Sequence, residues 1–493
     1  MVAWPCPAPG TYVPHVHRVC PHNEVGAICR RVLADLPPEV FGPVSEGYAR
    51  AFRKIKKVAR LYNGVKWELM ETALSYEGPL RRRYVEAALS LEDHPLDLVR
   101  DSRLSCFLKA EKINLVKKWS KPRMIYPRDP RYNISLARYL KPFEHFLWSK
   151  LTAERLGLRG GKGRLVAKGL NPSQRGQLIA KKFNNITDCV VMEIDGSAFE
   201  AHVGPATLEQ EHGVYLAAYR GDKRLRALLN CQKRLFGRLS CGARFSRDGG
   251  RASGDFNTGM GNSLVTLGVG LDLAENFECL DMLIDGDNAL LFFAKKDMAR
   301  LVAMVYDHGL QCCGQEMTLE NPVEEIEKIR FGQSAPVLFP GGYKMVRDPF
   351  KVMSGATASH RWLREPSFRR EYLTGVALCE LSVNVGVPLL QEFSLELLRA
   401  MDFKGRVRAH PFRDYFYLGA SLERAEPVSI PLATRESFER AFGVGVEEQL
   451  SWESSFKCPS PDQFLEMDPC AEHEDQIPGL DECYADYWRE RMP

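Results

Sequence analysis

The stretch "LDMLIDGDNALLFF", Leu280 to Phe293, constrains the fold more than any other part of the chain. Two apolar runs flank Asp285-Gly286-Asp287-Asn288, and Asp, Gly and Asn supply the unusual φ values that a tight turn needs. The segment therefore predicts a β-hairpin with an acid at its tip. Upstream, "CVVMEID", Cys189 to Asp195, reads as a short buried strand that also ends on an acid. Between them, "GDFNTGMGNSLVTLGVGLDLAEN" begins as a Gly-rich loop and turns helical by about Asn262. Before these, "EGYARAFRKIKKVARLYNGVKWELMETAL" has helical spacing with a basic face. Phe107 to Asn133 is broken by Pro122, Pro127 and Pro130 and reads as strands and loops. After Tyr343 helical patterns dominate. Strands and helices alternate irregularly, so the fold class expected is α+β rather than a doubly wound sheet.

A chain of 493 residues suits two to four subdomains. Its net charge of +4 is unevenly spread. From Ser451 onward eleven acidic residues face three basic ones, which leaves about +12 on the remainder. Asp101 to Arg131 alone holds nine Lys/Arg against three Asp/Glu, a local excess suited to a polyanion. The fourteen cysteines are scattered and read as reduced thiols. "MVAWPCPAPGTYVPH" has no apolar core, so a signal peptide is not expected, and no window reaches the length of a membrane span. The Pro-rich start, to about Pro14, and the acidic end are expected to be the least ordered parts.

Asp195 and Asp287 lie 92 residues apart. A strand-terminal Asp is commonly a cap or turn residue, so the argument rests on their company. Ser253, Thr258 and Asn262 offer hydroxyl and amide groups from the loop between them, and the basic segment lies upstream. Carboxylates for a divalent metal, polar groups for a sugar and cations for phosphates together suit phosphoryl transfer on nucleotides.

The order "DGSAFE", "SGDFNTGMGN", "GDN" and "FGQSAPV" resembles the palm motifs of viral RNA-dependent RNA polymerases, in the pattern of tombusvirus-like positive-strand RNA viruses. "FLKAEK…KPRMIYPRDPRYN" resembles the basic fingertip motif of the same group. The resemblance runs from about Phe107 to Val337. It implies a right-hand fold: an N-terminal extension and outer fingers over 1–100, fingers and fingertips over 101–188, and palm over 189–204. A fingers insertion over 205–252, palm over 253–340, a mostly helical thumb over 341–450 and an acidic C-terminal tail over 451–493 would complete it. The palm would be an antiparallel sheet with helices.

The activity implied is template-directed RNA synthesis by two-metal nucleotidyl transfer. Asp195 and Asp287 would ligate two Mg²⁺ or Mn²⁺ ions, with Asn288 beside them in the catalytic turn. Ser253, Thr258, Asn262 and Glu200 would contact the ribose side of the nucleotide. Lys109, Lys112, Arg123 and Arg128 would line the entry channel. The partners implied are RNA template and product, nucleoside triphosphates and a separate membrane-anchoring viral replication protein. The place implied is the host cytoplasm, at membrane-associated replication sites.

Three positions depart from the group's pattern. Asn288 stands where a second Asp is usual, Glu200 where Asp is usual, and Thr318 where a Lys often protonates pyrophosphate. Asp285 is a candidate to restore part of the charge missing at Asn288, or else to face solvent. The alternatives are a reverse transcriptase, opposed by Asn262 and by the lack of an aromatic-x-Asp-Asp turn, and an RNA-binding replication protein with weakened catalysis. Other signals read blandly. His15, His17, Cys20 and His22 lack the second cluster of a zinc finger. Cys312-Cys313 reads as packing, and "GLRGGKGRL" as a flexible basic loop on RNA.

Overall fold

Four antiparallel strands form the central sheet, in the order Leu280–Asp285, Asn288–Ala294, Cys189–Gly196, Met317–Leu319. The computed structural model of the protein describes residues 1–4, 6, 8–114, 120–457 and 463–466. The expected hairpin is present, and apart from the buried Asp281 its runs are apolar because both sheet faces are covered. Successive strand residues point to opposite faces. Met282, Ile284, Leu291 and Phe293 pack with Leu264, Leu267 and Leu271 of the helix Thr258–Ala274. Leu283, Leu290 and Phe292 pack on the other face with Ile179 and Ile329. Each such side chain contributes about 1.5–3 kcal/mol when fully buried. With both faces otherwise apolar, polarity penalises a register slip mainly at Asp281, whose buried pairing with Lys182 shares with the turn the task of setting the register.

A second sheet has the order Met124–Ile125, Leu104–Leu108, Arg234–Leu239, Arg244–Asp248, with a parallel pair at its centre. Strands Leu104–Leu108 and Arg234–Leu239 alternate buried and exposed residues, since only one face packs, against Ala27, Ile28 and Val32. The C-terminal part has its own core. There the hairpin of Ser334–Phe339 and Gly342–Arg347 meets helices Arg369–Asn384, Leu390–Met401 and Leu432–Phe442. No helix among the described residues is long and apolar enough to cross a membrane.

Five expectations change. The helix after the Gly-rich loop starts at Thr258, four residues early, and Pro130 opens the helix Pro130–Lys150 because proline is well suited to a first helical turn. The N-terminal residues are not loose. Val2–Ala3 pairs with both Ala358–Ser359 and Leu465–Glu466, and Trp4 is fully buried in the C-terminal core. The boundary expected at residue 451 falls inside the helix Val446–Ser455, where Glu453 pairs with Arg435 at 2.8 Å and Trp452 packs on Phe350. The rest of the acidic stretch lies mostly outside the described residues. The loop around Gly161 is tethered rather than flexible: Lys162 donates its amide to Asp281, whose other carboxylate oxygen pairs with the buried Lys182 at 2.8 Å.

Candidate active site

Asp195 is the second-last residue of its strand and stands directly opposite Asn288. Asp287 occupies the hairpin turn with Gly286, whose φ of +71° is left-handed and therefore suits glycine. A Cβ at Gly286 would meet nothing within 4 Å, so the requirement is conformational rather than spatial. The helix Thr258–Ala274 holds this turn from beneath. Ser263 Oγ accepts from the Gly286 amide at 2.9 Å, and Thr266 Oγ1 donates to the Gly286 carbonyl at 3.0 Å. These two bonds link the sequence "GNSLVT" to the position of an acid some twenty residues away and hold the turn in place.

The electrostatics separate the acids. Asp285 pairs with Lys168 at 2.9 Å and Arg175 at 2.7 Å. Its charge is therefore taken up by these two cations: although its burial works toward a higher pKa, they hold its carboxyl below the usual range. Among the described residues, Asp195 and Asp287 have no cation within ion-pair distance. Partial desolvation, then the charge of Asp287, pushes Asp195 up to about 6. Desolvation also raises Asp287, with Glu200 adding repulsion. Two close carboxylates lacking a counter-cation suit a divalent ion with hard oxygen preference. Arg123, nearly half exposed, exerts a pull on both acids from outside.

A cavity of about 760 Å³ opens beside Asp195 and Asn288. Glu193 and Glu320 line it too, and burial followed by Glu320 pushes Glu193 up to about 7. Glu193 was legible in principle, since it precedes Asp195 by two residues on one strand face. Lys328 and Arg330 line the same cavity and carried no sequence signal.

The nucleotide-side residues divide. Asn262 accepts at Oδ1 from Arg251 Nε at 3.1 Å, which leaves its amide NH₂ uncommitted. Arg251 is itself buried against Glu211, and both were missed because their partners lie 40 residues apart. Glu200 does not bond Asn262: its Oε1 pairs with Arg31 at 2.7 Å. Thr258 donates its hydroxyl to the Ala252 and Asp255 carbonyls, shaping the loop, while Ser253 is half-buried. Thr318 donates to the Asp195 carbonyl at 2.9 Å.

Among the expected channel cations, Lys109 and Arg123 share Glu111, and the exposed Lys112 donates to the Gly355 carbonyl at 2.6 Å. Arg128 is corrected outright. Its side chain is 1% exposed, pairs with Asp255 at 2.7 Å, donates to the Ser102 carbonyl and stacks on Tyr132. It holds the loop before the helix Thr258–Ala274 and has no surface to offer a phosphate.

The raised pKa of Asp195 sets a stability test. Its carboxyl is protonated in both folded and unfolded chain below about pH 4 and carries its full folded-state penalty above about pH 6. Asp195→Asn is therefore expected to raise the thermal midpoint of the metal-free protein at pH 7.5, and the gain should vanish as the pH falls toward 4. Melting curves across that range check it. An Asn variant no more stable than wild type at pH 7.5 would remove the repulsion argued here.

Comparison with known proteins then supplies the relationship. The family described as viral RNA-dependent RNA polymerase matches residues 11–460. The RNA-directed RNA polymerase of Tobacco necrosis virus (strain A) is 32% identical over 433 residues, covering 85% of this chain and 58% of that protein. That of Carnation mottle virus is 34% identical over 391 residues, covering 78% and 50%, and that of Maize chlorotic mottle virus is 34% identical over 398, covering 79% and 40%. The chain spans about half the length of the curated relatives it matches. With the match extending through the central sheet, the acid-tipped hairpin and the C-terminal helices, the chain belongs to the viral RNA-dependent RNA polymerase family.

Proposed function

We propose that this chain carries out template-directed RNA synthesis for a viral genome. The observation that carries the reading is the pair Asp195 and Asp287, brought to adjoining strand ends without a counter-cation among the described residues, while the neighbouring Asp285 is paired with two. The central sheet with its helices serves as palm, residues 101–188 and 205–252 as fingers, and the helices after 341 as thumb. The decisive assay is nucleotide incorporation on an RNA template by purified protein, with and without divalent metal, comparing ribo- and deoxynucleotides. Incorporation of ribonucleotides only supports the reading. Deoxynucleotide use would point to reverse transcription, and inactivity under every metal and template to an RNA-binding role.

The residues divide the work. Asp195 and Asp287 would hold two Mg²⁺ or Mn²⁺ ions, which when bound supply charge stabilisation for the transferring phosphoryl group. Arg123 and Lys109 exchange Glu111 for triphosphate oxygens, the planar guanidinium matching two at once. Asn262, its amide oriented by Arg251, donates to the ribose, and Ser253 adds a hydroxyl. Glu200, held by Arg31, borders the sugar without bonding Asn262. We place the protein in the host cytoplasm, brought to membranes by a separate replication protein.

Asn288 tunes the metal. It faces Asp195 across the sheet, so Asn288→Asp adds a charge beside the pair that Asp285 cannot provide. Wild type should work with both ions and favour Mn²⁺, because Mg²⁺ depends more on a full set of hard oxygen ligands in near-octahedral geometry. Asn288→Asp should keep activity and shift the preference toward Mg²⁺. Equal Mg²⁺/Mn²⁺ rate ratios in the two proteins would show that Asn288 does not set it.

A further inference from the structure

Behind the central sheet, away from the hairpin turn, three side chains of different chemistry converge. His308 and Cys312 lie four residues apart on the helix Met298–Cys313 and so share a face. Asp272, near the end of the helix Thr258–Ala274, faces them. One ligand atom from each residue lies within 4.8 Å of the other two. Asp272 Oδ2 is 2.9 Å from Cys312 Sγ and 3.4 Å from His308 Nε2. We propose that Asp272, His308 and Cys312 form a zinc site with a solvent molecule in the fourth position.

The geometry fits. Zinc bonds of about 2.0–2.3 Å to oxygen, nitrogen and sulfur put tetrahedral ligand atoms roughly 3.3–3.7 Å apart. Asp272 Oδ2 already stands at that separation from His308 Nε2, and its distance to Cys312 Sγ would open by about half an ångström. The donor set fits as well. Imidazole with thiolate and carboxylate is a zinc combination, whereas Mg²⁺ takes oxygen ligands. His308 Nε2 is buried and approaches Asp272 Oδ2 only to 3.4 Å, without the geometry of a hydrogen bond, so a metal would satisfy this nitrogen more fully.

Asp272 also has a structural task, and its two oxygens divide the labour. Oδ1 lies against Gly47 in the first turn of the helix Glu46–Ala59, where a Cβ would come within 1.7 Å of it. Oδ2 faces His308 and Cys312 and accepts from Ser45 Oγ at 3.3 Å. Ser45 would thus steady the ligating carboxylate, a common arrangement beside metals. Neither contact accounts for His308 and Cys312 converging on the same oxygen. On binding, the Cys312 thiol gives its proton to solvent as the sulfur–zinc bond forms, and one carboxylate with one thiolate balances the ion's charge. The site would fasten the helix Glu46–Ala59 to both helices behind the sheet. Asp272 lies six residues beyond Thr266, about 9 Å along the helix that carries the catalytic turn.

The test is metal content and cobalt spectroscopy on the full chain. Purified wild type, equilibrated with Zn²⁺ and gel-filtered, should retain one equivalent per chain, and Co²⁺ should give tetrahedral visible bands with a thiolate charge-transfer band. Cys312→Ser and His308→Gln, checked for native near-ultraviolet circular dichroism, should lose both signals. Asp195→Asn/Asp287→Asn should keep them, which separates this site from any catalytic metals and from the fate of the polymerase reading. Wild type that retains no metal, or either folded variant binding as wild type does, overturns the proposal. Should both single variants fail to fold, the wild-type cobalt spectrum decides: absence of the thiolate band overturns it.

Discussion

Asp195→Ala and Asp287→Ala are each expected to lower nucleotide incorporation by about 10³-fold or more, because losing a metal ligand removes several kcal/mol of charge stabilisation from the transition state and each 1.4 kcal/mol is tenfold in rate. The loss should come without unfolding. Both carboxyls carry raised pKa values in the metal-free protein, so each charge opposes folding rather than supporting it. The variants should melt at or above the wild-type temperature above pH 6 and keep RNA affinity, since the basic surface at Lys109 and Arg123 is untouched. Asp285→Ala is the internal control. It should cost stability, because Lys168 and Arg175 lose their partner, and that pattern would separate an electrostatic anchor from a metal ligand two residues away. Incorporation within tenfold of wild type by either purified variant would sink the metal assignment.

Arg128→Ala is expected to destabilise the fold by about 3–5 kcal/mol, the typical result of leaving one member of a buried ion pair uncompensated. Its guanidinium and Asp255 are 1% and 2% exposed, so solvent offers little screening. The carbonyls of Ser102 and Cys231 lose a donor as well. Chemical denaturation measures the loss. Arg123→Ala should behave in the opposite way, with stability within about 0.5 kcal/mol of wild type, as for exposed positions generally, but a raised nucleotide KM and a shallower salt dependence of RNA binding. An Arg128→Ala protein of normal stability with a raised KM would restore the channel role that its burial denies.

The contrast between these two arginines shows what a linear reading can reach. Both stand in one proline-broken basic stretch, five residues apart, with the same intrinsic chemistry. What divides them is Asp255, 127 positions downstream of Arg128. Asp285 and Asp287 divide in the same way. The turn chemistry at Gly286 is local and legible, whereas the pairing of Asp285 depends on Lys168 and Arg175 from a distant segment. Glu200, expected on the ribose side of the nucleotide, is held by Arg31, which the chain brings back from 169 residues earlier.

The sequence by itself determined the strand–loop–helix–hairpin order, the two acids at strand ends and the polar loop between them. Those features follow from side-chain period, turn conformation and residue chemistry within a dozen positions. It also carried enough ordered motifs to mark the family. The tertiary structure alone decided which charges are spent and which are free, that Trp4 and the N-terminal strand close the C-terminal core, and that Asp272, His308 and Cys312 meet. Desolvation and ion pairing are set by atoms within a few ångströms, and for those residues the nearest atoms belong to segments remote in the chain.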